Sequence, residues 1–98
     1  MRDVKRIEIV IDKPHLRLVL DMLRELGAPG YTIFEAVAGY GDRGPREGGE
    51  FSDALINRYV LTTCPADRVS DLAAALEPLL RRYGGLCLIS DAQLIRND

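Results

Sequence analysis

Between Gly39 and Asp53 the chain reads Gly39-Tyr40-Gly41-Asp42-Arg43-Gly44-Pro45-Arg46-Glu47-Gly48-Gly49-Glu50-Phe51-Ser52-Asp53. Arg43 and Arg46 stand among glycines that leave backbone N–H groups unshielded. Guanidinium groups beside bare amides suit a phosphate or another small anion better than they suit packing. Strand-like runs flank the segment, and a hairpin connection ordinarily takes about two to five residues. The extra length implies either a functional loop or a floppy polar one.

Other reactive side chains are sparse. His15 follows Pro14 in a first helical turn, with no Cys, Asp or Glu at metal-ligand spacing, so no metal site is expected. Cys64 and Cys87 belong to no CxxC or Cys/His cluster and read as inert thiols. Cys87 lies in an apolar run and is expected to pack. Cys64 lies at an element boundary and is expected to be more exposed. Arg58 reads as a surface or interface cation. No catalytic residue is assigned.

The elements that must position these residues follow from periodicity. Val4 to Ile11 alternates, with Ile7, Ile9 and Ile11 on one face of a strand. Asp12 and Pro14 mark a helix start. Leu16, Val19, Leu20, Leu23 and Leu26 form its apolar stripe, and Gly27 ends it. Tyr31 to Tyr40 reads as a second strand with apolar residues on both faces, and Ala54 to Thr62 as a third. Cys64-Pro65-Ala66-Asp67 starts a second helix with the stripe Val69, Leu72, Ala73, Leu76, Leu79, Leu80 and Tyr83. Pro78 predicts a break near Leu76 and Glu77. Gly84-Gly85 ends the helix. Leu86 to Ser90 is a fourth strand that Ala92 to Arg96 extends or follows.

The order β-α-β-β-α-β predicts an α+β, ferredoxin-like fold, an antiparallel sheet with both helices on one face. Its other face stays bare although several strands place apolar residues there. Copies of the same chain are the simplest cover. The 98 residues fit a single domain, 1–98. A formal charge of −2 argues against a nucleic-acid footprint. No apolar run reaches the length of a membrane span, and no charge-free apolar stretch follows the N-terminus. A cytoplasmic location is expected.

The segment Gly30-Tyr31-Thr32-Ile33-Phe34-Glu35-Ala36-Val37-Ala38-Gly39-Tyr40-Gly41 resembles the second strand of PII signalling proteins. There a G-x-T-x-x-E-x-x-G-x-G pattern leads into a long T-loop. The resemblance extends over nearly the whole chain. With Ser90-Asp91-Ala92 and the Ala92 to Arg96 ending, it is most like the PII-like proteins of inorganic-carbon uptake and carboxysome gene clusters. That likeness implies a homotrimer whose subunit clefts bind an adenine nucleotide, with a T-loop at about 42–53. It implies signalling by loop conformation, without catalysis or a cofactor. The downstream partner would be a transporter or a carbon-fixation component.

Carried over by position, Thr32 with the backbone of Gly30 and Tyr31 would meet the adenine edge. Gly39, Tyr40 and Gly41 would let the backbone approach phosphates, as would Gly84 and Gly85. Arg96 would pair with a phosphate. Arg43 and Arg46 are the candidates for phosphate or bicarbonate. The sequence departs from signalling PII proteins where Leu86 and Cys87, instead of an Asp and a Lys, follow the glycines. ADP or AMP is therefore expected over a triphosphate. The alternative is a small acylphosphatase-like hydrolase, which shares the length and element order. Asn57 is available to it, but Lys13-Pro14-His15 supplies no Gly-rich anion cradle.

Overall fold

The computed structural model describes residues 1–37, 39–41, 44–46 and 57–96. The first strand, β1 (Arg2–Asp12), leads directly into α1 (Lys13–Glu25). Asp12 caps that helix: its side chain accepts the His15 backbone N–H at 3.3 Å, and Pro14 occupies the first turn, where no N–H is needed. Gly27, with φ +80°, ends it. Then follow β2 (Tyr31–Val37), the short β3 (Gly39–Gly41) and β4 (Gly44–Arg46), and β5 (Asn57–Cys64). A 3-10 turn over Ala66–Arg68 opens α2 (Val69–Tyr83), and β6 (Leu86–Leu94) closes the described fold.

The main sheet has the order β2-β5-β1-β6 with every neighbouring pair antiparallel. This is the ferredoxin-like arrangement expected from the element order. Alternation on the central β1 sends Ile7, Ile9 and Ile11 to one face, where all three are fully buried. They pack with Val19, Leu20 and Leu23 of α1, with Leu72, Leu76 and Leu79 of α2, and with Val60 of β5. Both helices therefore cover the same side of the sheet. The other side carries Phe34, Leu86 and Leu88, which are 53%, 47% and 58% exposed. The apolar residues on both faces of the second strand thus do not mean cover on both sides within one chain.

Several local expectations need correction. The second strand stops at Val37, and Gly39–Gly41 instead pairs antiparallel with Gly44–Arg46 as a separate ribbon inside the anticipated loop. The register on β5 also shifts between Phe34 and Val37. The third strand runs on to Cys64 because Lys5 extends the ladder opposite it; its expected start, 54–56, lies outside the described residues. Helix α2 passes through Pro78 without a break. Ala74, whose carbonyl loses its helical partner there, is exposed, so water can take the place of the missing N–H. Arg58 is buried, not a surface cation, because it shares the helix-facing side of β5 with Val60, Thr62 and Cys64.

Of the two cysteines, Cys87 packs against the core as expected, while Cys64 is not the more exposed of the pair. Cys64 is buried at the end of β5, whereas Cys87 is half-buried on the edge strand β6. Burial, and then the charge of Cys64, push the Cys87 thiol up to about 11. An unfolded thiol ionises near ~8.5. The contribution of the neutral Cys87 to stability is therefore complete below that pH and is lost as pH rises towards about 11. Native Cys87 should resist iodoacetamide at neutral pH and react readily in urea. Mass spectrometry showing modification as fast as that of a free thiol would contradict this.

Candidate functional site

The Gly30-Tyr31-Thr32 segment enters the sheet at the edge, where β2 begins. Its position is fixed from inside. The hydroxyl of buried Thr62 donates a hydrogen bond to the Gly30 carbonyl, and Tyr31 and Thr32 pair with Thr62 and Leu61 in the ladder. Gly30 itself has open space where a Cβ would stand. The backbone there is thus both ordered and unshielded, as close approach of a ligand requires.

A recess of about 320 Å³ opens beside this segment. Gly30, Tyr31, Thr32, Thr63, Arg6 and Arg96 help to line it, so it draws on β2, β5, β1 and the residues after β6. It sits at the end of the sheet where Val4 faces Ala92. The Arg6 guanidinium is held by Ser90, whose hydroxyl accepts from Nε at 3.1 Å, and by the Glu8 carboxylate at 3.4 Å. Glu8 also acts on Tyr59: burial first, then the Glu8 charge and hydrogen bond, push its phenol up. On the opposite face Lys5 pairs with Asp91 and holds that exposed carboxyl below its ordinary range. Ser90 and Asp91 thus serve opposite faces of one strand.

Four of the anticipated site residues, Gly30, Tyr31, Thr32 and Arg96, therefore meet in one recess. Gly84 and Gly85 do not join them. They precede β6 at the far end of the sheet, where Leu86 pairs with Val10. The nine residues of β6 separate the two groups by about 27 Å of extended chain. The β2 strand ends on the Gly84-Gly85 side, since Val37 pairs with Asn57 and Asn57 with Asp12. Gly39, Tyr40 and Gly41 follow it as β3, and Gly39 pairs with Arg46 in the ribbon. Arg43 and most of the segment 42–53 lie outside the described residues, as do the side chains of Tyr40 and Arg46.

Sequence reasoning does not single out Arg6 or Thr62. Strand parity was the available signal: it places Arg6 on the bare face and Thr62 on the buried one. Among the described residues no group of His, Cys, Asp and Glu is arranged to hold a metal ion. No described helix is long and apolar enough to cross a membrane.

The model of the nitrogen regulatory protein P-II family matches residues 4–98. The chain belongs to that family. CPII from Thiomonas intermedia K12, a nitrogen regulatory PII-like protein, superposes with a TM-score of 0.89 at 26% identity, over 96% of this chain and 90% of that one, in a structure bound to ADP, AMP and bicarbonate. CPII bound to ADP and bicarbonate gives 0.86 at 28% identity with the same coverage. Its apo form gives 0.78 at 22% identity, over 97% and 95% of the two chains. No curated protein matches the sequence. The chain is accordingly a PII-like regulatory protein, from a family of signalling proteins.

Gly85 carries a structural duty apart from any ligand. Its φ is +97°, and a Cβ there would stand 2.3 Å from the Val10 carbonyl oxygen. Gly85→Ala should lower the urea unfolding midpoint, with the backbone strain alone costing about 1–3 kcal/mol. An unchanged midpoint would show that the turn relaxes without cost.

Proposed function

We propose that this PII-like chain assembles as a homotrimer and binds ADP or AMP in the clefts between subunits. The observation that carries the reading is the separation of the glycine groups. One chain presents Gly30, Tyr31, Thr32 and Arg96 at one end of its sheet and Gly84 and Gly85 at the other. A nucleotide is too short to reach both ends of one subunit. Where copies meet head to tail, the recess of one can face the glycines of the next. The apolar bare face, with Phe34, Leu86 and Leu88, supplies the area that such association buries. The ligands of CPII support the choice of nucleotide.

In this reading Thr32 and the Gly30-Tyr31 backbone meet the adenine, and Arg96 pairs with a phosphate. Gly84, Gly85 and the Gly39–Gly41 backbone approach the phosphates closely. Arg43 and Arg46 are assigned to phosphate or to bicarbonate, which CPII also holds. Binding orders the T-loop at about 42–53 and changes docking to a cytoplasmic target in inorganic-carbon metabolism, a transporter or a carbon-fixation component. No catalytic step is part of the reading.

Sedimentation equilibrium should give three times the 10.9 kDa chain mass, and a stable monomer would overturn the assembly. Calorimetry with AMP, ADP, ATP and cyclic AMP, with and without bicarbonate, should give heat for ADP or AMP. Silence with all of them would remove the proposal. Arg96→Ala should weaken ADP by about tenfold or more, since a hydrogen bond to a charged group contributes about 1.5–3 kcal/mol. Gly30→Ala meets no atom within 4 Å, so it should weaken ADP without moving the unfolding midpoint; wild-type affinity would clear Gly30 of a ligand role.

A further inference from the structure

The recess beside Gly30 holds a second guanidinium to which the positional reading gives no role. Arg6 stands on β1, which lies between β2, the strand of Thr32, and β6, the strand that leads to Arg96. Its register neighbours are Thr63 on β5 and Ser90 on β6. Thr63 also lines the recess, and Thr62 before it pairs with Tyr31. Arg6 is therefore level with the Gly30-Tyr31 segment and two strand spacings, roughly 10 Å, away from it. Among the described residues that line the recess, none is a carboxylate.

The Arg6 side chain is also held in one orientation. Nε donates to the Ser90 hydroxyl at 3.1 Å and lies 3.4 Å from a Glu8 carboxylate oxygen. Both contacts are made by Nε. They fix the guanidinium plane and leave the terminal amino groups to donate elsewhere. The side chain stays half exposed, as a residue that meets a ligand must. A planar fork whose orientation is set before the ligand arrives suits a phosphate monoester, which offers it two oxygens at once.

We propose that Arg6 is a further nucleotide-binding residue: its terminal amino groups hold the phosphate attached to the ribose and make the recess select a nucleoside phosphate over a bare nucleoside. This role rests on the function proposed above, in which the adenine meets Thr32 and a phosphate meets Arg96. The ribose joins base to phosphate, so it must cross the floor of the recess from β2 towards the end of β6. Arg6 stands on that path. Ser90 and Glu8 are positioning residues, since they act on the ligand only by aiming Arg6.

Arg6→Met keeps the apolar stem and removes the guanidinium. Calorimetry with AMP, adenosine and inorganic pyrophosphate separates the outcomes. Arg6→Met should weaken AMP about tenfold or more, as expected for a lost hydrogen bond to a charged group, and leave adenosine at its wild-type affinity. Loss of fold or of assembly would weaken both ligands alike, and the urea unfolding midpoint checks the fold directly. AMP bound equally by Arg6→Met and by the wild type overturns the role of Arg6 and leaves the nucleotide reading standing. An equal loss for AMP and adenosine overturns it as well, because Arg6 then does not act on the phosphate. A wild type that takes pyrophosphate but not AMP, with pyrophosphate lost in Arg6→Met, upholds Arg6 as an anion ligand and refutes the nucleotide reading. A wild type that takes none of the three overturns both.

Discussion

Ile7, Ile9 and Ile11 occupy one side of the central strand, and both helices are spent in covering them. Burying each such side chain contributes about 1.5–3 kcal/mol, so this row anchors the fold. The cost is one-sidedness, because two helices in a chain of this length cover one face of a four-stranded sheet and no more. The features most informative about function descend from that constraint. The bare face keeps Phe34, Leu86 and Leu88 exposed, the recess beside Gly30 opens along it, and Arg6 stands on it, tethered to Ser90 and Glu8.

The second consequence is polarity along the strands. An antiparallel sheet built on β1 places the start of β2 and the end of β6 at one edge of the molecule. The start of β6 and the exit towards β3 fall at the other. A ligand site shared between these ends must recruit a second copy, which ties binding to assembly. Each end is held by a hydrogen bond: the Thr62 hydroxyl donates to the Gly30 carbonyl from the core, and the Gly84 N–H donates to the Leu80 carbonyl at 2.8 Å.

The fold makes different demands at the two glycine positions. Gly85 is required by a positive φ and by the approach of the Val10 carbonyl, before any phosphate is considered. Gly30 has neither requirement, so its unshielded backbone has no packing explanation within one chain. A glycine's presence in a binding pattern therefore carries different weight at the two sites.

Much of the fold was legible in the sequence. The alternation of Ile7, Ile9 and Ile11, the Asp12-Pro14 start and the Gly27 stop are local signals governed by the pleat, the helix period and backbone sterics. The grouping of Gly30, Tyr31 and Thr32 was legible too, because neighbours in the chain stay neighbours in space. What local signals could not supply was depth and distance. Arg58 and Cys64 are buried because the helices cover their side of β5, and Pro78 is harmless because Ala74, whose carbonyl it leaves unpaired, is exposed. Arg6 meets Arg96 only through strand pairing, and His15 meets Tyr83 only because the two helices pack side by side. The sequence by itself determined the elements and the face each presents. Tertiary structure decided which elements became neighbours, since side chains far apart in the chain come together only when one-sided burial forces the elements that carry them onto a common sheet.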